Sequence, residues 1–555
     1  MNKLQYIARN IAACLCLLPM LLACSDDKGN YTYQEKTLIT IEGIPEQKEY
    51  LSGVDYLDLK PIITSNIEGE ITGDNPNFEF LYQKKDSEGN WKNICGEKDL
   101  HMLMNFASGS HICRYIVTDK RTGVQTLQLF YVSSQTITSE GWMVLCNEGE
   151  EERVRLDMLS QISAGRVIPT HDIALKGEDV PEMYHATQLG YFNSNWDGNV
   201  IALLSQTDAY TIKTSDEKGR NEFITIQDLH KLTNAHFLSA VSDPIVYLSS
   251  VVGTGTARRP DAAICISDKG NAYAWNTSMQ YTGFESLINT SVRGGNAEFH
   301  VAPFVGSSPL RPTGQTVAVA LLYDIDNCRF IGWVGDSEAN KQVCRPLEDP
   351  ANKLFNFNTG GMQLVCMLNV PTSNGMTYCI MQDGTKRHLY CINVSTKEFT
   401  QERCCENIQA PNFDKATCFA ANLYPVIYYG YRNKVYAYNY ATEETKEIIT
   451  LDANEEVTML KFNRFDYPPG IDGFSSRGSE MKAIYKEREK ELIVGSYNNA
   501  ATDNNGGTLS FYTVDDSNSG MTVTLKKDVD EDGAERIWKY GGYAKIKDVR
   551  YKEPQ

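Results

Sequence analysis

The chain has 555 residues, and its 71 Asp and Glu against 53 Lys and Arg leave a formal net charge of −18. This negative surplus disfavours a nucleic-acid partner, because the phosphates would be repelled, and it favours solubility at a cell surface. Tyr (31 residues) and Gly (41 residues) are numerous and helical periodicity is scarce, so the composition predicts an all-β protein.

Residues 1–23 are predicted to be a lipoprotein signal peptide. Lys3 and Arg9 give a positive start, and the apolar run over residues 11–23 is too short to span a membrane as a mature helix. The run ends in the letters LLAC, which resemble the bacterial lipobox, in which the cysteine is acylated and becomes the first mature residue. We therefore expect lipidation at Cys24 and contact with the membrane through this anchor alone. An ordinary cleaved secretory signal is the alternative.

Residues 24–36 are interpreted as a lipidated surface tether that begins CSDDKGNYTY. This stretch resembles the mature N-terminus of the PKD-like family of lipoproteins from Bacteroidetes. Acidic residues directly behind the acylated cysteine resemble the signal that sends such lipoproteins to the outer face of the outer membrane. The resemblance implies an Ig-like, PKD-like module followed by a larger domain, exposure at the cell surface, and association with SusC/SusD-type nutrient uptake systems. It covers the N-terminal quarter and carries no known ligand residue onto this sequence.

Residues 37–135 are predicted to form a PKD/Ig-like β-sandwich, close to the roughly 100 residues that such a domain needs. Cys95 and Cys113 are candidates for a disulfide in this domain, although sequence spacing does not establish the distance between them. The predicted strands are Thr37–Ile41, Tyr56–Ile63, Phe78–Gln83, Trp91–Ile94, His111–Asp119 and Thr126–Val132.

Residues 139–555 are predicted to form a seven-bladed β-propeller. Short strands with period-two alternation, joined by polar turns, recur as hairpins at the spacing of propeller blades. Around Val435 to Tyr440, for example, Val435 and Ala437 share one face, and Tyr436 and Tyr438 share the other. The hairpins are Gly141–Asn147 with Val154–Met158, Val200–Ser205 with Ala209–Lys213, Ala263–Ser267 with Ala272–Trp275, Val317–Tyr323 with Arg329–Trp333, Tyr378–Gln382 with His388–Asn393, Val426–Tyr429 with Val435–Tyr440, and Glu491–Tyr497 with Thr508–Val514.

The C-terminal segment is predicted to close the ring of blades. A typical blade has an inner strand before its hairpin, such as Val457–Asn463, but the first blade has no such segment upstream of Gly141. Residues 546–552 have the same apolar rhythm, so we expect them to supply the inner strand of the first blade. The alternative is a trailing edge strand that packs locally.

Motifs for catalysis are absent from the sequence, and one loop resembles a calcium site. There is no HExxH or GxSxG motif, and no pair of carboxylates stands out as a glycosidase acid and base. Asp528, Asp530 and Asp532 occupy positions one, three and five of a calcium loop, but Lys539 stands at position twelve, where a Glu is required. We therefore expect no cofactor, with Ca²⁺ at this loop as the alternative to an acidic surface turn.

The tryptophans divide into two groups. Trp142, Trp275 and Trp333 lie within predicted strands and are expected to be core residues. Trp196 and Trp538 lie on or near polar turns, so they are the better candidates for stacking on a sugar or peptide.

These observations favour a non-enzymatic surface lipoprotein, an accessory nutrient-binding or docking subunit of a SusC/SusD-type uptake system for glycan or peptide. Two alternatives stay open at this stage. One is a propeller-based hydrolase or lyase that acts on a polysaccharide, and the other is a structural adhesin.

Overall fold

Strands make up almost all of the regular structure, as the period-two alternation of the sequence predicts. The computed structural model describes residues 36–107, 109–163, 165–173, 181–194, 198–213, 229–251, 262–276, 283–284, 286–308, 317–335, 343–372, 375–464, 484 and 486–552. The chain divides into two units. The first comprises Met1–Gln47, Leu57–Met102 and His111–Tyr131, and the second comprises Lys48–Tyr56, Leu103–Ser110 and Val132–Gln555.

The N-terminal region is a β-sandwich built from short strands. Strands β10, β9, β6 and β7 follow one another in one sheet, β1, β4 and β5 form another, and β3 pairs with β8; the strands are β1 (Ile39–Glu42), β2 (Gln47–Leu51), β3 (Tyr56–Leu59), β4 (Ile62–Ser65), β5 (Gly69–Glu70), β6 (Phe78–Lys85), β7 (Trp91–Cys95), β8 (Leu100–Leu103), β9 (Gly109–Asp119) and β10 (Gln125–Gln135).

One predicted strand of the sandwich is wrong. The stretch Tyr56–Ile63 is divided into β3 and β4, which belong to different sheets. The division falls at Lys60-Pro61, because proline has no N–H to donate to a ladder and restricts the residue before it. Strands β2, β5 and β8 are not among the predicted strands.

Two stacked tyrosines lie in the core of the sandwich. The rings of Tyr82 and Tyr115 are 4.2 Å apart, and both hydroxyls donate to the Lys98 carbonyl, at 2.9 and 3.1 Å. Cys95 and Cys113 are both free thiols, so the candidate disulfide is not formed. Burial raises the pKa of the Cys113 thiol to about 12, which keeps it protonated and unreactive.

The second unit continues with strands of two to nine residues and, among the described residues, one short α-helix. These elements are β11 (Gly141–Glu148), β12 (Arg153–Gln161), β13 (Val167–Thr170), β14 (Ala186–Ser194), β15 (Gly198–Ser205), β16 (Ala209–Lys213), β17 (Leu229–Lys231), α1 (Leu232–Ala235), β18 (Ile245–Val251), β19 (Ala262–Ser267), β20 (Ala272–Trp275), β21 (Ser286–Leu287), β22 (Val319–Asp324), β23 (Arg329–Val334), β24 (Arg345–Pro346), β25 (Gln363–Val370), β26 (Met376–Asp383), β27 (Lys386–Asn393), β28 (Gln401–Cys405), β29 (Cys418–Ala421), β30 (Val426–Tyr431), β31 (Lys434–Asn439), β32 (Glu444–Thr450), β33 (Glu455–Phe462), β34 (Glu491–Asn498), β35 (Gly507–Val514), β36 (Val523–Leu525), β37 (Lys527–Val529), β38 (Glu535–Ile537), β39 (Lys539–Tyr543) and β40 (Lys545–Lys552).

The strands from β11 to β36, together with β40, form seven antiparallel sheets in the described part of the chain, one for each predicted hairpin. Their orders are β13-β12-β11-β40, β14-β15-β16-β17, β18-β19-β20-β21, β22-β23-β24, β25-β26-β27-β28, β29-β30-β31-β32 and β33-β34-β35-β36. In the fourth sheet, bridges from Val301 to Asp324 and from Gly306 to Leu321 place the preceding segment beside β22 as the innermost strand. This is the blade arrangement of a β-propeller.

The first sheet takes its innermost strand from the C-terminal segment, as predicted. Strand β40 pairs antiparallel with β11, with Val549 opposite Val144 and Tyr551 opposite Trp142. The edge of the first sheet is therefore covered by a strand that follows the last blade in sequence, and the propeller is closed.

Seven clusters of buried apolar residues lie between neighbouring sheets of the described propeller. Six of them join consecutive sheets in chain order. The seventh joins the last sheet to the first and contains Ile493, Phe511 and Trp142. Each sheet is thus buried on both faces.

The alternation predicted around Val435 is confirmed. Val435 and Ala437 pack in the cluster shared with the seventh sheet. Tyr436 and Tyr438 pack in the cluster shared with the fifth sheet. Successive side chains therefore serve opposite neighbours, as a period of two requires.

Candidate functional site

A cavity of about 370 Å³ lies where the innermost strands of the seven sheets converge. Strands β14, β18, β25, β29, β33 and β40 contribute to its wall, and residues 307–308 represent the fourth sheet. The volume is within the range of small-molecule sites. Its lining is rich in polar groups and aromatic rings, including Gln188, Ser249, Ser250, Ser307, Asn369, Asn463, Trp142, Tyr191, Tyr247 and Tyr551.

Side chains on the innermost strands bond directly to the backbone of the next innermost strand. Gln188 on β14 accepts from the Leu248 N–H at 2.9 Å, and Ser250 on β18 donates to the Tyr191 carbonyl at 2.7 Å. Asn369 accepts from the Ser307 N–H at 3.0 Å. These bonds hold the wall rigid and leave its remaining polar groups in defined positions.

An arginine with an unusual set of partners lies on this wall. Arg464 follows β33, and its Nη1 donates to the Asn369 carbonyl at 2.7 Å. Its Nη2 donates to the Ala421 carbonyl at 3.2 Å and to Asn422 Oδ1 at 2.5 Å. Burial lowers the pKa of Arg464 to about 10, although Glu489 opposes the shift, so the side chain stays cationic at neutral pH.

One carboxylate lines the same cavity. Glu489 precedes β34, and its backbone carbonyl accepts from Asn422 Nδ2 at 2.5 Å. Burial raises the pKa of the Glu489 carboxyl, and the nearby Arg464 opposes that shift. The charge of each side chain therefore affects the pKa of the other, although the described structure contains no ion pair between Arg464 and Glu489.

The other two cations of the wall, Lys461 and Arg550, each take part in a contact that involves strand β40. Lys461 Nζ is 2.7 Å from Asp548 Oδ1 in an ion pair. Arg550 Nε donates to the Leu189 carbonyl at 2.6 Å. Both contacts link neighbouring blades as well as shaping the cavity.

A second cavity of about 550 Å³ adjoins the first. Gln188 and Tyr247 line both cavities, and the other described residues that line the second are Thr187, Gln206, Val246, Asp268, Pro303 and Phe304. Burial raises the pKa of Tyr247 to about 12, so its hydroxyl remains a hydrogen-bonding group at neutral pH.

Trp538, predicted as a stacking platform, lies in the core between the last and first sheets. The side chain is 3% exposed, and its ring lies 5.4 Å from Trp142 and 5.1 Å from Phe511 in edge-on contacts. Lys526 Nζ covers the ring at 3.8 Å from its centre. Trp538 is buried although it lies near a turn, because the strand that follows it, β39, pairs with β35 and brings this segment against the last sheet.

The acidic loop predicted as a calcium site is the turn of the β37–β38 hairpin. Asp528 pairs with Arg536, Oδ2 to Nη2 at 2.6 Å, and this pair lowers the pKa of Asp528 against the effect of its burial. Asp530 accepts the N–H groups of Asp532 and Ala534 at 3.0 and 2.8 Å, an arrangement typical of an acidic turn. Across the described ranges, no group of three or more His, Cys, Asp or Glu side chains is placed to hold a metal ion.

Cys24 and Trp196 lie outside the described residues, so lipidation and the role of Trp196 stay predictions. Trp142, Trp275 and Trp333 are 0%, 4% and 3% exposed, which confirms that they are core residues. Within the described ranges, no helix is long and apolar enough to cross a membrane.

Sequence reasoning missed the polar residues of the central cavity. One signal was present, because Asn369, Asn422 and Asn463 each follow an apolar run at the end of an inner strand. An asparagine at this position in three blades indicates the end of the blade at which side-chain amides form hydrogen bonds with neighbouring blades. Arg464 directly follows one of these amides.

Solved structures of low similarity match large parts of the chain. A quinonprotein alcohol dehydrogenase-like protein from Bacteroides thetaiotaomicron is 10% identical with a TM-score of 0.39, over 92% of this chain and 98% of that chain. A protein from Lactobacillus plantarum is 12% identical with a TM-score of 0.38, over 74% and 99%. The WD40 domain of coronin from Toxoplasma gondii is 9% identical with a TM-score of 0.31, over 61% and 68%. Similarities at this level carry no information about ligand or activity.

Sequence comparison gives one family. No curated protein matches the chain. Residues 24–178 match the PKD-like family, which confirms the PKD-like part of the predicted resemblance and extends it through the first propeller hairpin. This part of the chain is therefore similar to the PKD-like family.

Proposed function

We propose that this protein is a lipid-anchored surface protein of the outer membrane that binds a nutrient as an accessory subunit of a SusC/SusD-type uptake system. The PKD-like match over residues 24–178 fits a protein that acts at the cell surface. The leader, the LLAC motif at Cys24 and the acidic residues behind it support the anchor and the outward-facing location.

The central cavity is the observation that carries the binding function. All seven innermost strands contribute to a pre-formed space of about 370 Å³ whose wall combines hydroxyls, amides, cations and aromatic rings. A rigid scaffold that presents convergent polar groups beside apolar surface is typical of a site for a small molecule or for one residue of a polymer. Glycan and peptide are the ligand classes that such a wall recognises, through hydrogen bonds to polar groups and packing on rings.

The composition of the wall favours binding over hydrolysis. Glu489 is the one carboxylate among the described residues that line this cavity, whereas the common mechanism of glycoside hydrolysis uses two. Asp548, the carboxylate nearest to the wall in the β40 strand, is occupied by Lys461 and by the Leu189 N–H. We therefore propose a subunit that captures a nutrient and passes it on unchanged.

The test is a gentle detergent pull-down of the tagged protein from its native outer membrane, followed by mass spectrometry. Co-purification of a SusC/SusD-type pair at near-equal amounts is the expected result. The purified protein is then incubated with polysaccharides and peptides, and we expect retention without turnover. Purification of the protein alone contradicts the accessory role, and product formation contradicts the binding-only role.

A further inference from the structure

The charges that line the central cavity are mainly positive. Lys461, Arg464 and Arg550 are cations, and Glu489 is the one carboxylate among the described lining residues. The chain as a whole has a net charge of −18, so this local excess runs against the overall balance. A cleft with low-dielectric walls concentrates the field of the charges on its surface, and this cavity therefore favours an anionic guest.

Two of these cations differ in the groups that balance their positive charge inside the protein. Lys461 is neutralised by Asp548, with Nζ 2.7 Å from Oδ1. Arg464 donates three hydrogen bonds, and all three acceptors are uncharged carbonyl oxygens. Within the described ranges, no carboxylate lies within ion-pair distance of Arg464, so its charge is solvated only by dipoles.

The hydrogen-bond geometry of Arg464 leaves a donor for a guest. Nη2 serves two acceptors, which uses both of its hydrogens. Nη1 serves one acceptor, the Asn369 carbonyl, and retains its second N–H. A guanidinium held on one side by neutral carbonyls is positioned to donate to a carboxylate, and charge-assisted bonds of this kind are the strongest that an arginine makes.

The side chain of Glu489 is expected to oppose binding of an anionic ligand. Its side-chain carboxylate has no hydrogen bond or ion pair with the residues that the structure describes, while its carbonyl is held by Asn422. Arg464 and Glu489 therefore act on each other electrostatically without direct contact. The carboxylate of Glu489 competes for the same positive charge that a bound anion would use.

We propose that the central cavity binds a ligand that carries a carboxylate, and that Arg464 is the residue that donates to it. The inference rests on the proposed binding function and specifies its ligand. A volume of about 370 Å³ accommodates a single sugar residue or the terminal residues of a peptide, with the half-buried ring of Tyr247 on its wall. A uronic acid and a peptide C-terminus are two sources of the same chemistry.

The first test changes the ligand and leaves the protein intact. Binding of a galacturonic acid trisaccharide is compared with that of its carboxyl-reduced form, and binding of a trialanine peptide is compared with that of its C-terminal amide. By titration calorimetry at low and high salt, we expect the acidic member of one pair to bind about tenfold or more tightly than its neutral partner, with the preference reduced by salt. The pair that shows the preference identifies the source of the carboxylate.

The second test changes the two residues in opposite directions. Arg464→Gln is expected to weaken binding of the acidic probe about tenfold or more, and to abolish the preference for the acidic probe over its neutral partner. Glu489→Gln removes the competing carboxylate without removing a hydrogen bond from the described structure, and it is expected to tighten binding of the acidic probe. A purely structural role for Glu489 does not predict tighter binding. Arg432→Gln, at an exposed turn between β30 and β31, is the control for loss of one positive charge.

The outcomes separate the inference from the proposed function. Equal binding of acidic and neutral probes, unchanged in Arg464→Gln and Glu489→Gln, overturns the carboxylate site and leaves a binding protein for neutral ligands. Weaker binding of the acidic probe to Glu489→Gln also overturns it. Failure of all four probes to bind at millimolar concentration contradicts the binding function as well.

Discussion

Asp548, on the C-terminal strand, accepts a hydrogen bond from the backbone N–H of Leu189 on the second blade, at a distance of 2.9 Å between Oδ2 and N. Its other oxygen pairs with Lys461 on the seventh blade at 2.7 Å. Two residues further along the same strand, Arg550 donates to the carbonyl of the same Leu189. One carboxylate therefore connects the blades on either side of the closure, and both backbone groups of Leu189 are satisfied by β40.

Replacement of Asp548 by Ala is expected to lower the free energy of unfolding by about 3 kcal/mol. The change leaves the Leu189 N–H without its acceptor and removes the partner of Lys461 from a largely buried position. Urea denaturation followed by circular dichroism measures the difference. Asp383→Ala, at the exposed end of β26, is the matched control and is expected to change stability by less than about 0.5 kcal/mol. Equal effects of the two substitutions would contradict the role of Asp548 in closure.

Deletion of residues 545–555 is expected to destabilise the propeller by on the order of 5 kcal/mol. Ile546, Val549 and Tyr551 are buried, so the deletion removes their apolar contacts. It also exposes the edge of β11 that pairs with β40. The truncated protein should unfold at a lower urea concentration and with a broader transition. A synthetic peptide of residues 545–552 should bind it and restore part of the stability, since strand addition to an open edge supplies the missing hydrogen bonds. Unchanged unfolding after truncation would show that the closure is dispensable.

Trp142→Phe is expected to cost about 1 to 3 kcal/mol more than the matched change Trp333→Phe. Trp142 Nε1 donates to Asn463 Oδ1 at 2.8 Å, and Asn463 in turn donates to Glu491, which pairs with Lys526. The substitution leaves a buried acceptor without its donor. Trp333 is also buried, but its Nε1 has no acceptor among the described residues, so Trp333→Phe removes packing volume alone. Chemical denaturation of the two variants, compared with the wild type, checks the difference.

The stability of the propeller is expected to rise with pH between about 8 and 10 because of Lys552. Burial lowers the pKa of this side chain to about 8 in the folded state, against its ordinary value of 10.5, with Glu140 opposing the shift. Between these values the unfolded state binds more protons than the folded state, so the free energy of unfolding increases with pH. Across the whole pH range between these two pKa values, the free energy of unfolding is expected to increase by roughly 3 kcal/mol.

Lys552→Met removes this titration, although it also removes the bond from Nζ to the Ser139 carbonyl. Relative to the variant, the wild type should gain stability as the pH rises from about 8 to about 10, as measured by urea denaturation at each pH. Lys547→Met, an exposed position on the same strand, is the control and should retain the pH dependence of the wild type. Parallel pH profiles for wild type and Lys552→Met would rule out Lys552 as the cause.

Cys24→Ala is expected to abolish lipid attachment and release the protein from the membrane fraction. The substitution removes the thiol that the lipobox-like motif presents for acylation. Metabolic labelling with an alkyne fatty acid, followed by membrane fractionation, measures both effects. Cys14→Ala, within the predicted leader, is the control and should leave labelling intact. Persistent labelling of Cys24→Ala would show that the anchor is attached elsewhere.

The strand hairpins were predictable because their information is local. Period-two alternation around Val435 places its neighbours on opposite faces whatever the rest of the chain does, and seven such hairpins imply a ring of blades. The same logic predicted β40, since the first hairpin lacked an inner strand and the C-terminal segment matched the inner rhythm. The error at Pro61 was also local, and it came from the missing N–H of proline.

The candidate site was decided by the tertiary structure. Arg464, Glu489 and Arg550 are unremarkable charges in the sequence, and they share one cavity because the innermost strands of separate blades converge there. Trp538 is buried because a further strand folds its segment against the last sheet. The sequence by itself determined which segments become strands and in what order they form blades, because alternation and turns act over a few residues. Which side chains meet at the centre depended on how the sheets pack around a common axis, which no short stretch of the chain encodes.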